Sequence, residues 1–447
     1  MLATYHHSRR FLLGLVLLLA AALLPARPPS PSVEWQDPVE IAAGRGQRGP
    51  WAQNESRYDF VDDPTVILAP DGDAAVAWVD QARKAVLFQR FGPTGAPRLA
   101  QPVDVSRQPA TFSWLPRLAM APDAPQRLFV LWQEIIFSGG SHGGEMMLAR
   151  SEDGGRSFSA PVNLSNSTPG DGKGRINPEV WHNGSYDLVA GPGGVLYAAW
   201  TEYDGPLWFS RSTDGGRRFS RPLQLAGAGQ APPARGPSLA LAADGTLYLA
   251  WTVGEDAAAD IHVTRSTDGG ATFDAPVRVA PSATYSDAPK LAVDPDGVLH
   301  LAYAESAGGP FERHRIHYTR SSDRGATFEP PRVLSQPLPP QAVSAAYPQL
   351  ALDARGGVYV AWELYADERG RPRGLALAVS TDGGQRFGPA SVVPGSADAR
   401  GGANGSTQGL LMRKLAADGA GRLALVNSAL REGSHSRVWM LRGAVQR

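Results

Sequence analysis

The segment Ser266-Thr-Asp-Gly-Gly-Ala-Thr-Phe273 decides the fold, because it is one of five copies of the pattern Ser-x-Asp-x-Gly-x-x-Phe. The other four copies begin at Ser151, Ser212, Ser321 and Ser380. Successive aspartates of the pattern lie 61, 54, 55 and 59 residues apart. Self-similarity at a nearly constant period of this size is typical of solenoids and propellers. The sequence therefore predicts a repeat protein.

Each repeat unit contains the signals of four short strands. In the fourth unit, residues 237–251 form two apolar stretches joined by Asp244-Gly245, and residues 261–266 and 276–279 follow as two more. An Asp-Gly pair between two apolar stretches is a strong hairpin signal. Both faces of residues 247–251 are apolar, as expected for a sheet packed between two neighbouring sheets. The pattern predicts an all-β propeller built from four-stranded antiparallel blades.

The two ends of the chain are each an incomplete unit. Residues 414–427 and 437–441 supply three strands, and residues 35–41 copy the outer-strand phrase of the other units. Joining the two ends completes one blade and removes the exposed edges that an open array would carry. The sequence therefore predicts seven blades closed by an N-terminal strand, with six blades as the alternative.

The repeated phrase resembles the Asp box, or BNR repeat, of the sialidase-like superfamily. In that family the box forms the turn between the third and outermost strands of a blade, away from the substrate face. Its residue types fit a turn, because the polar side chains accept from turn amides and glycine supplies the positive φ. We therefore predict structural roles for the five box aspartates, Asp153, Asp214, Asp268, Asp323 and Asp382.

The first 32 residues are predicted to be a signal peptide and a Pro/Ser-rich leader, with residues 33–447 forming a single propeller domain. Arg9-Arg10 precede an apolar run over residues 11–24, the order of charged and apolar regions in a secretory signal. This run is shorter than the ~20 residues that span a bilayer. The sequence predicts secretion or another extracytoplasmic location, either periplasm or cell surface, with an uncleaved N-terminal anchor as the alternative.

Composition excludes several kinds of chemistry. The 447 residues carry 43 Lys+Arg and 43 Asp+Glu, so the formal net charge is zero and no strong field attracts nucleic acid. There is no cysteine, which excludes disulfides, thiolate metal sites and a cysteine nucleophile. The nine histidines show no metal-ligand spacing, and no phosphate-binding loop is present. Neither a metal nor another cofactor is predicted.

An aromatic residue ends the second strand of most units, and a carboxylate follows two positions later in four of them. The aromatic series predicts buried rings between blades rather than a sugar-stacking cage. Glycoside hydrolysis needs two carboxyl groups at a defined separation. The candidate catalytic residues are therefore Asp80, Glu134, Glu202 and Glu305. The alternative interpretation is that these carboxylates bond loop amides and hold the blades together.

Sialidase chemistry, as the resemblance implies, requires an arginine cluster for the substrate carboxylate, a tyrosine nucleophile with a glutamate partner, and an aspartic acid. The family's first arginine lies in Phe/Tyr-Arg-Ile-Pro, but this chain reads Val61-Asp62-Asp63-Pro64, so Asp62 replaces that arginine. Arg117, Arg235 and Arg413 begin other inner strands and are the candidate substrate-binding residues, because guanidinium pairs a carboxylate in bidentate fashion.

Two functional hypotheses follow from these residues. The first is an extracytoplasmic glycoside hydrolase related to sialidases. The second is a non-catalytic, lectin-like or scaffold propeller that binds a carbohydrate or an extracellular protein.

Overall fold

The computed structural model describes residues 31–50, 52, 54–138, 141–165, 185–201, 205–254, 256–281, 284–367, 370–397, 403–404 and 413–446. The predicted signal and nearly all of the predicted leader, together with Glu202, lie outside these residues. Within the described part of the chain there is no helix of a length and apolar character that would cross a membrane.

In the described chain, seven antiparallel sheets form the blades, each ordered from an inner to an outermost strand, and one two-stranded sheet lies outside them. Blade 1 contains Val61–Leu68, Ala74–Asp80, Ala85–Phe91 and Val103–Asp104. Blade 2 contains Ser113–Ala121, Ala124–Ser138, Ser141–Ser151 and Val162–Asn163. Blade 3 contains Tyr186–Ala190, Leu196–Thr201, Leu207–Ser212 and Leu223–Ala226, with a 3-10 turn at Pro192–Gly194.

The next three blades repeat the same order. Blade 4 contains Ala234–Leu241, Leu247–Val253, Asp260–Ser266 and Val277–Arg278. Blade 5 contains Tyr285–Val293, Leu299–Ser306, His314–Ser321 and Arg332–Val333. Blade 6 contains Ser344–Leu352, Val358–Tyr365, Pro372–Ser380 and Ser391–Val392.

Blade 7 joins the two ends of the chain. Its first three strands are Leu415–Ala417, Arg422–Arg431 and His435–Gln446. The outermost position is filled by Ser32–Trp35 and Val39–Gly44, which pair with the third strand in the registers Trp35 to Gly443 and Val39 to Met440. Short strands Ala403–Asn404, Gln47–Arg48 and Tyr58–Asp59 complete the description. The predicted seven-bladed propeller, closed by an N-terminal segment, is confirmed.

The aromatic residues that end the second strands lie in the core between blades. Their side chains are at most 2% exposed, so they are not available to stack on a sugar. The residues are Trp78, Trp132, Trp200, Trp251, Tyr303 and Trp362. Their burial agrees with the sequence-based interpretation of an apolar inter-blade core.

The five copies of the repeated phrase form the turns between the third and outermost strands of blades 2 to 6. In the fourth-unit copy, the Ser266 hydroxyl donates to Asp268 at 2.7 Å and accepts from the Gly270 amide at 2.8 Å. The same two bonds recur in the other four copies. Gly270 has a φ of 80°, which a residue with a side chain rarely adopts. These bonds occur within each turn and stabilise it.

An arginine just before the turn links neighbouring blades. The Arg211 guanidinium of blade 3 donates to the Gly269 carbonyl of blade 4 at 2.6 Å, and Arg320 of blade 5 donates to the Gly383 carbonyl of blade 6 at 2.9 Å. Within each antiparallel blade the first and third strands run in the same direction. The turns that follow the third strands therefore lie on the face of the ring where the inner strands end. The opposite face, where the inner strands begin, is called here the mouth face.

Replacing Ser266 by alanine tests the structural role of these turns. The side chain of Ser266 is buried, and its loss leaves the Gly270 amide without its acceptor. We expect Ser266→Ala to lower the free energy of unfolding by about 1–3 kcal/mol, measured by urea denaturation. Ligand affinity of the folded variant should be unchanged, and a loss of affinity at unchanged stability would contradict this assignment of faces.

Candidate functional site

One residue from each blade occupies the same position near the start of the inner strand. In six blades it pairs with the residue just before the aromatic that ends the second strand; Lys290, for example, lies opposite Ala302. In blade 7 the Lys414 carbonyl accepts from the Val426 amide at 2.8 Å. We call these seven residues, all of them described, the mouth ring: Thr65, Arg117, Asp187, Ser238, Lys290, Gln349 and Lys414.

A recurring backbone irregularity precedes the mouth ring. In four blades the residue before the strand proline is not glycine yet has a positive φ: Asp63, Leu115, Ala288 and Tyr347, at 51–58°. Register shifts accompany it, as between Asp287 and Lys290 in blade 5. A non-glycine residue in this region costs roughly 1–3 kcal/mol, and such strain clusters at functional sites. The irregularity changes the direction in which the first side chains of the strand point.

Mouth-ring side chains also join neighbouring inner strands. The Asp187 carboxylate accepts from the Leu239 amide at 2.9 Å, and the Ser238 hydroxyl accepts from the Leu291 amide at 3.0 Å. The Gln349 side chain accepts from the Lys414 amide at 3.0 Å. Polar groups that satisfy backbone amides at a buried position stabilise the ring, so part of this polar layer is structural.

Two of the predicted arginines converge on one carboxylate of the mouth ring. The Arg413 Nη2 atom lies 2.6 Å from Asp187 Oδ2, and Arg117 Nε lies 3.9 Å from Asp187 Oδ1. Arg117 is 1% exposed, and burial lowers the pKa of its guanidinium to about 10 although Asp187 opposes the shift. Arg413 is 30% exposed at the side chain and is the arginine of this pair that a ligand can reach.

Lys290 adds a third cation to this cluster. Burial lowers the pKa of its amine to about 7, and the charges of Arg117 and Arg413 act in the same direction. The carboxylate of Asp187 opposes that shift, because its negative charge favours the ammonium form of Lys290. Two arginines lie against Asp187, and Lys290 adds a third basic group, so basic groups outnumber the carboxylates of Asp187 and Asp63 in this cluster and favour an added anion.

The cluster opens into the central channel of the propeller. The channel has a volume of about 380 Å³, and Lys290, Arg413, Ser238 and Gln349 contribute to its lining near the mouth face. Farther from the mouth, the lining is apolar and includes Leu68, Met120, Leu241, Val293 and Leu352. An anionic group at this end of the channel would lie beside Lys290 and Arg413.

The third predicted arginine, Arg235, lies in a different cluster. Its Nη2 atom donates to the Tyr285 hydroxyl at 2.6 Å, and that hydroxyl donates to Asp287 at 2.8 Å. Tyr285 is 1% exposed, and burial together with Asp287 raises the pKa of its phenol. Such a tyrosine is held by hydrogen bonds on both sides and is not presented as a nucleophile in this structure.

The described carboxylates predicted to be catalytic each bond within their own blade. Asp80 accepts from the Arg83 amide at 3.1 Å, and Glu305 accepts from the Ser286 hydroxyl at 3.4 Å. Glu134 accepts from Thr111, from Ser113 at 2.6 Å and from Trp132 at 2.8 Å. It is 1% exposed, and burial raises the pKa of its carboxyl to about 7.

Asp62, at the position of the family's first arginine, forms a hydrogen bond between blades. It accepts a hydrogen bond from Ser428 of blade 7, and burial raises the pKa of its carboxyl. Nearby in the same layer, Lys414 and Glu363 form an ion pair in which both side chains are 2% exposed. This chain therefore has a hydrogen-bonded acid at the position where the motif has an arginine.

Sequence reasoning missed Lys290 and Asp187. A usable signal was present, because Pro116-Arg117-Leu118, Pro237-Ser238-Leu239 and Pro289-Lys290-Leu291 are the same phrase, and its central residue is the mouth-ring position. Among the described residues, no group of histidine and acidic side chains is arranged to hold a metal ion.

No protein-family model matches the sequence, and comparison with curated proteins gives no match. Solved structures do match. An ulvan lyase of polysaccharide lyase family PL25, bound to a saccharide of GlcA and Rha3S, is 12% identical over 90% of this chain and 95% of its own, with a TM-score of 0.55. Polysaccharide lyase Uly1 is 13% identical over 89% of this chain and 92% of its own, with a TM-score of 0.51.

The Hadza microbial sialidase Hz136 is 14% identical over 83% of this chain and 73% of its own, with a TM-score of 0.45, which is too low to add to the comparison. The two lyases establish that this chain shares its propeller fold with them.

Proposed function

We propose that this protein is a sialidase-like, Asp-box propeller that binds a carboxylated glycan at the mouth of its central channel. The observation that carries the proposal is the cluster of three basic groups, Lys290, Arg413 and Arg117, near the carboxylate of Asp187. Lys290 and Arg413 line the channel and would contact the ligand. Arg117 lies behind them and would contribute through its charge.

The chemistry of the cluster favours a carboxylate. Arginine offers a planar pair of donors that matches the two oxygens of a carboxylate, and a charged bond of this kind is about twice as strong as a neutral one. The Nη2 atom of Arg413 is already paired with Asp187 Oδ2 at 2.6 Å. The site therefore suits one further monoanionic group better than a densely charged polyanion.

A saccharide is the ligand class that the fold comparison supports. Two propellers that superpose with TM-scores above 0.5 are polysaccharide lyases, and one was solved with a saccharide containing GlcA. Uronic and sialic acids both carry the carboxylate that the cluster would recognise. The rim residue Arg235 and the loops of the mouth face would supply further contacts, as loops on a rigid scaffold commonly do.

Turnover by glycoside hydrolysis is a second candidate, and one observation favours it. The raised pKa of Glu134, about 7, is suited to a general acid. Its partner would be Glu305, Asp80 or Glu202, and retaining and inverting mechanisms need carboxyl separations of roughly 5 to 9 Å. Against this role stand the burial of Glu134 and its three hydrogen bonds, two from blade 2 and one from Thr111 in the loop before it.

The test is a glycan panel that contains sialosides, uronate-terminated oligosaccharides and their neutral counterparts, scored for binding and for product release. We expect binding that requires the carboxylate. Release of product that Glu134→Gln abolishes, while binding persists, would establish the hydrolase. Absence of both binding and turnover would reject a glycan ligand and favour a scaffold for an extracellular protein partner.

We also propose that the propeller works outside the cytoplasm, on the basis of the signal-like residues 1–24. Cell fractionation and N-terminal sequencing of the mature protein would test this. Recovery in the cytoplasm with an intact leader would reject it.

A further inference from the structure

Lysine is a rare residue in this chain, and it is concentrated at the channel mouth. Four of the 43 Lys and Arg residues are lysines, and two of those four, Lys290 and Lys414, stand in the mouth ring. Lys414 is engaged by Glu363 in a buried ion pair. Lys290 is the mouth-ring lysine that lines the channel. Arginine stays charged at any ordinary pH, whereas a buried lysine readily changes its protonation state.

The immediate neighbours of Lys290 on the flanking inner strands carry no charge. They are Ser238 of blade 4 and Gln349 of blade 6, and both line the same channel. On the strand of Lys290 itself, Asp287 accepts from Tyr285 and lies 3.5 Å from Arg235. That carboxylate is therefore bonded within the Arg235 cluster.

The charged groups that act on Lys290 come from other blades. Arg117 of blade 2 and Arg413 of blade 7 disfavour its ammonium form, and Asp187 of blade 3 favours it. Both arginines lie against Asp187, so that carboxylate is already shared between two guanidinium groups. A carboxylate brought in by a ligand would add a negative charge beside Lys290 and would favour the protonated amine.

We propose that Lys290 couples carboxylate binding to proton uptake, so that the channel holds an acidic saccharide when this amine is protonated and releases it as the amine loses its proton. This inference rests on the proposed function, because it concerns the same site. It adds a dependence on pH that the arginines of the cluster cannot provide, since they do not titrate near neutrality.

The direction of the dependence follows from the state of the free protein. Burial and the neighbouring arginines lower the pKa of Lys290 to about 7, so the amine is mostly charged at pH 6 and mostly neutral at pH 8. A bound carboxylate raises that pKa. Affinity is therefore highest below pH 7 and falls as pH rises, by about tenfold between pH 6 and pH 8 if the bound form stays protonated.

The experiment uses glucuronate as the probe and its neutral methyl ester as the control ligand. Titration calorimetry at pH 6 and pH 8, in buffers of different ionisation enthalpy, reports affinity and protons taken up. Lys290→Arg should bind with an affinity that changes by less than about twofold over this range. Lys290→Met should bind about tenfold or more weakly at pH 6. Lys84→Arg, a lysine change outside the mouth ring, should keep the wild-type dependence.

A second measurement does not depend on any ligand. With four lysines in the chain, carbon-13 labelling of lysine gives few signals, and Lys290→Arg identifies the one of interest. Its titration midpoint near 7, shifting upward on addition of glucuronate, supports the coupling. A midpoint near 10 overturns it. Glucuronate binding with unchanged affinity from pH 6 to pH 8 also overturns it but leaves the proposed function standing. Absence of carboxylated-sugar binding at any pH rejects both.

Discussion

Removing the closing segment, residues 31–44, should lower the melting temperature by roughly 5 °C or more relative to a chain that begins at residue 31. The deletion uncovers the edge of the third strand of blade 7, where Trp35 pairs with Gly443 and Val39 with Met440. It also removes Val33, Trp35 and Ile41 from the apolar clusters on either side. Partly buried apolar side chains contribute roughly 1–2 kcal/mol each, and an uncovered edge also invites pairing with another chain.

The melting temperature is best measured by differential scanning calorimetry beside two point variants. Trp35→Ala should reproduce part of the loss, because its side chain packs on the blade 6–7 core. Asp37→Ala lies in the exposed stretch between the two paired segments and should change the melting temperature very little. A deletion as stable as the parent chain would mean that closure contributes little to the ring.

The fold was predictable because its signals are local and repeated. An Asp-Gly hairpin such as Asp244-Gly245 and a phrase such as Ser266-x-Asp268 each depend on bonds made within a few residues. Because five copies recur at a regular period, the fold prediction does not depend on any one irregular unit. Closure was predictable for the same reason, since residues 35–41 repeat a phrase that is an outermost strand elsewhere.

The site was predictable only in part, because it is assembled from residues far apart in sequence. Arg117 and Arg413 were candidates, but their common partner Asp187 depends on how blades 2, 3 and 7 face one another across the channel. Lys290 was missed because a single lysine after a proline is not distinctive until its Pro-x-Leu phrase is compared with those of the other inner strands. The strand registers then show that it shares a layer with Arg117.

Truncating Arg413 should have the largest effect on ligand binding. We expect Arg413→Ala to weaken binding of a carboxylated sugar by about 100-fold, since loss of one partner in a poorly solvated charge pair costs roughly 2–5 kcal/mol. Arg413 lines the channel and already bonds Asp187 at 2.6 Å, so its guanidinium is held in place before a ligand arrives. Titration calorimetry with glucuronate at pH 6 measures the change.

Folding should survive this substitution, because the Asp187 carboxylate still accepts the hydrogen bond of the Leu239 amide at 2.9 Å and still lies near the charge of Arg117. An unchanged melting temperature verifies that point. Arg221→Ala is the matched control, since this exposed arginine precedes the outermost strand of blade 3 and should leave affinity as it is. If Arg413→Ala binds normally while Arg235→Ala does not, the ligand contacts the Arg235–Tyr285–Asp287 cluster on the rim. The cations around Asp187 would then serve to hold blades 2, 3 and 7 together.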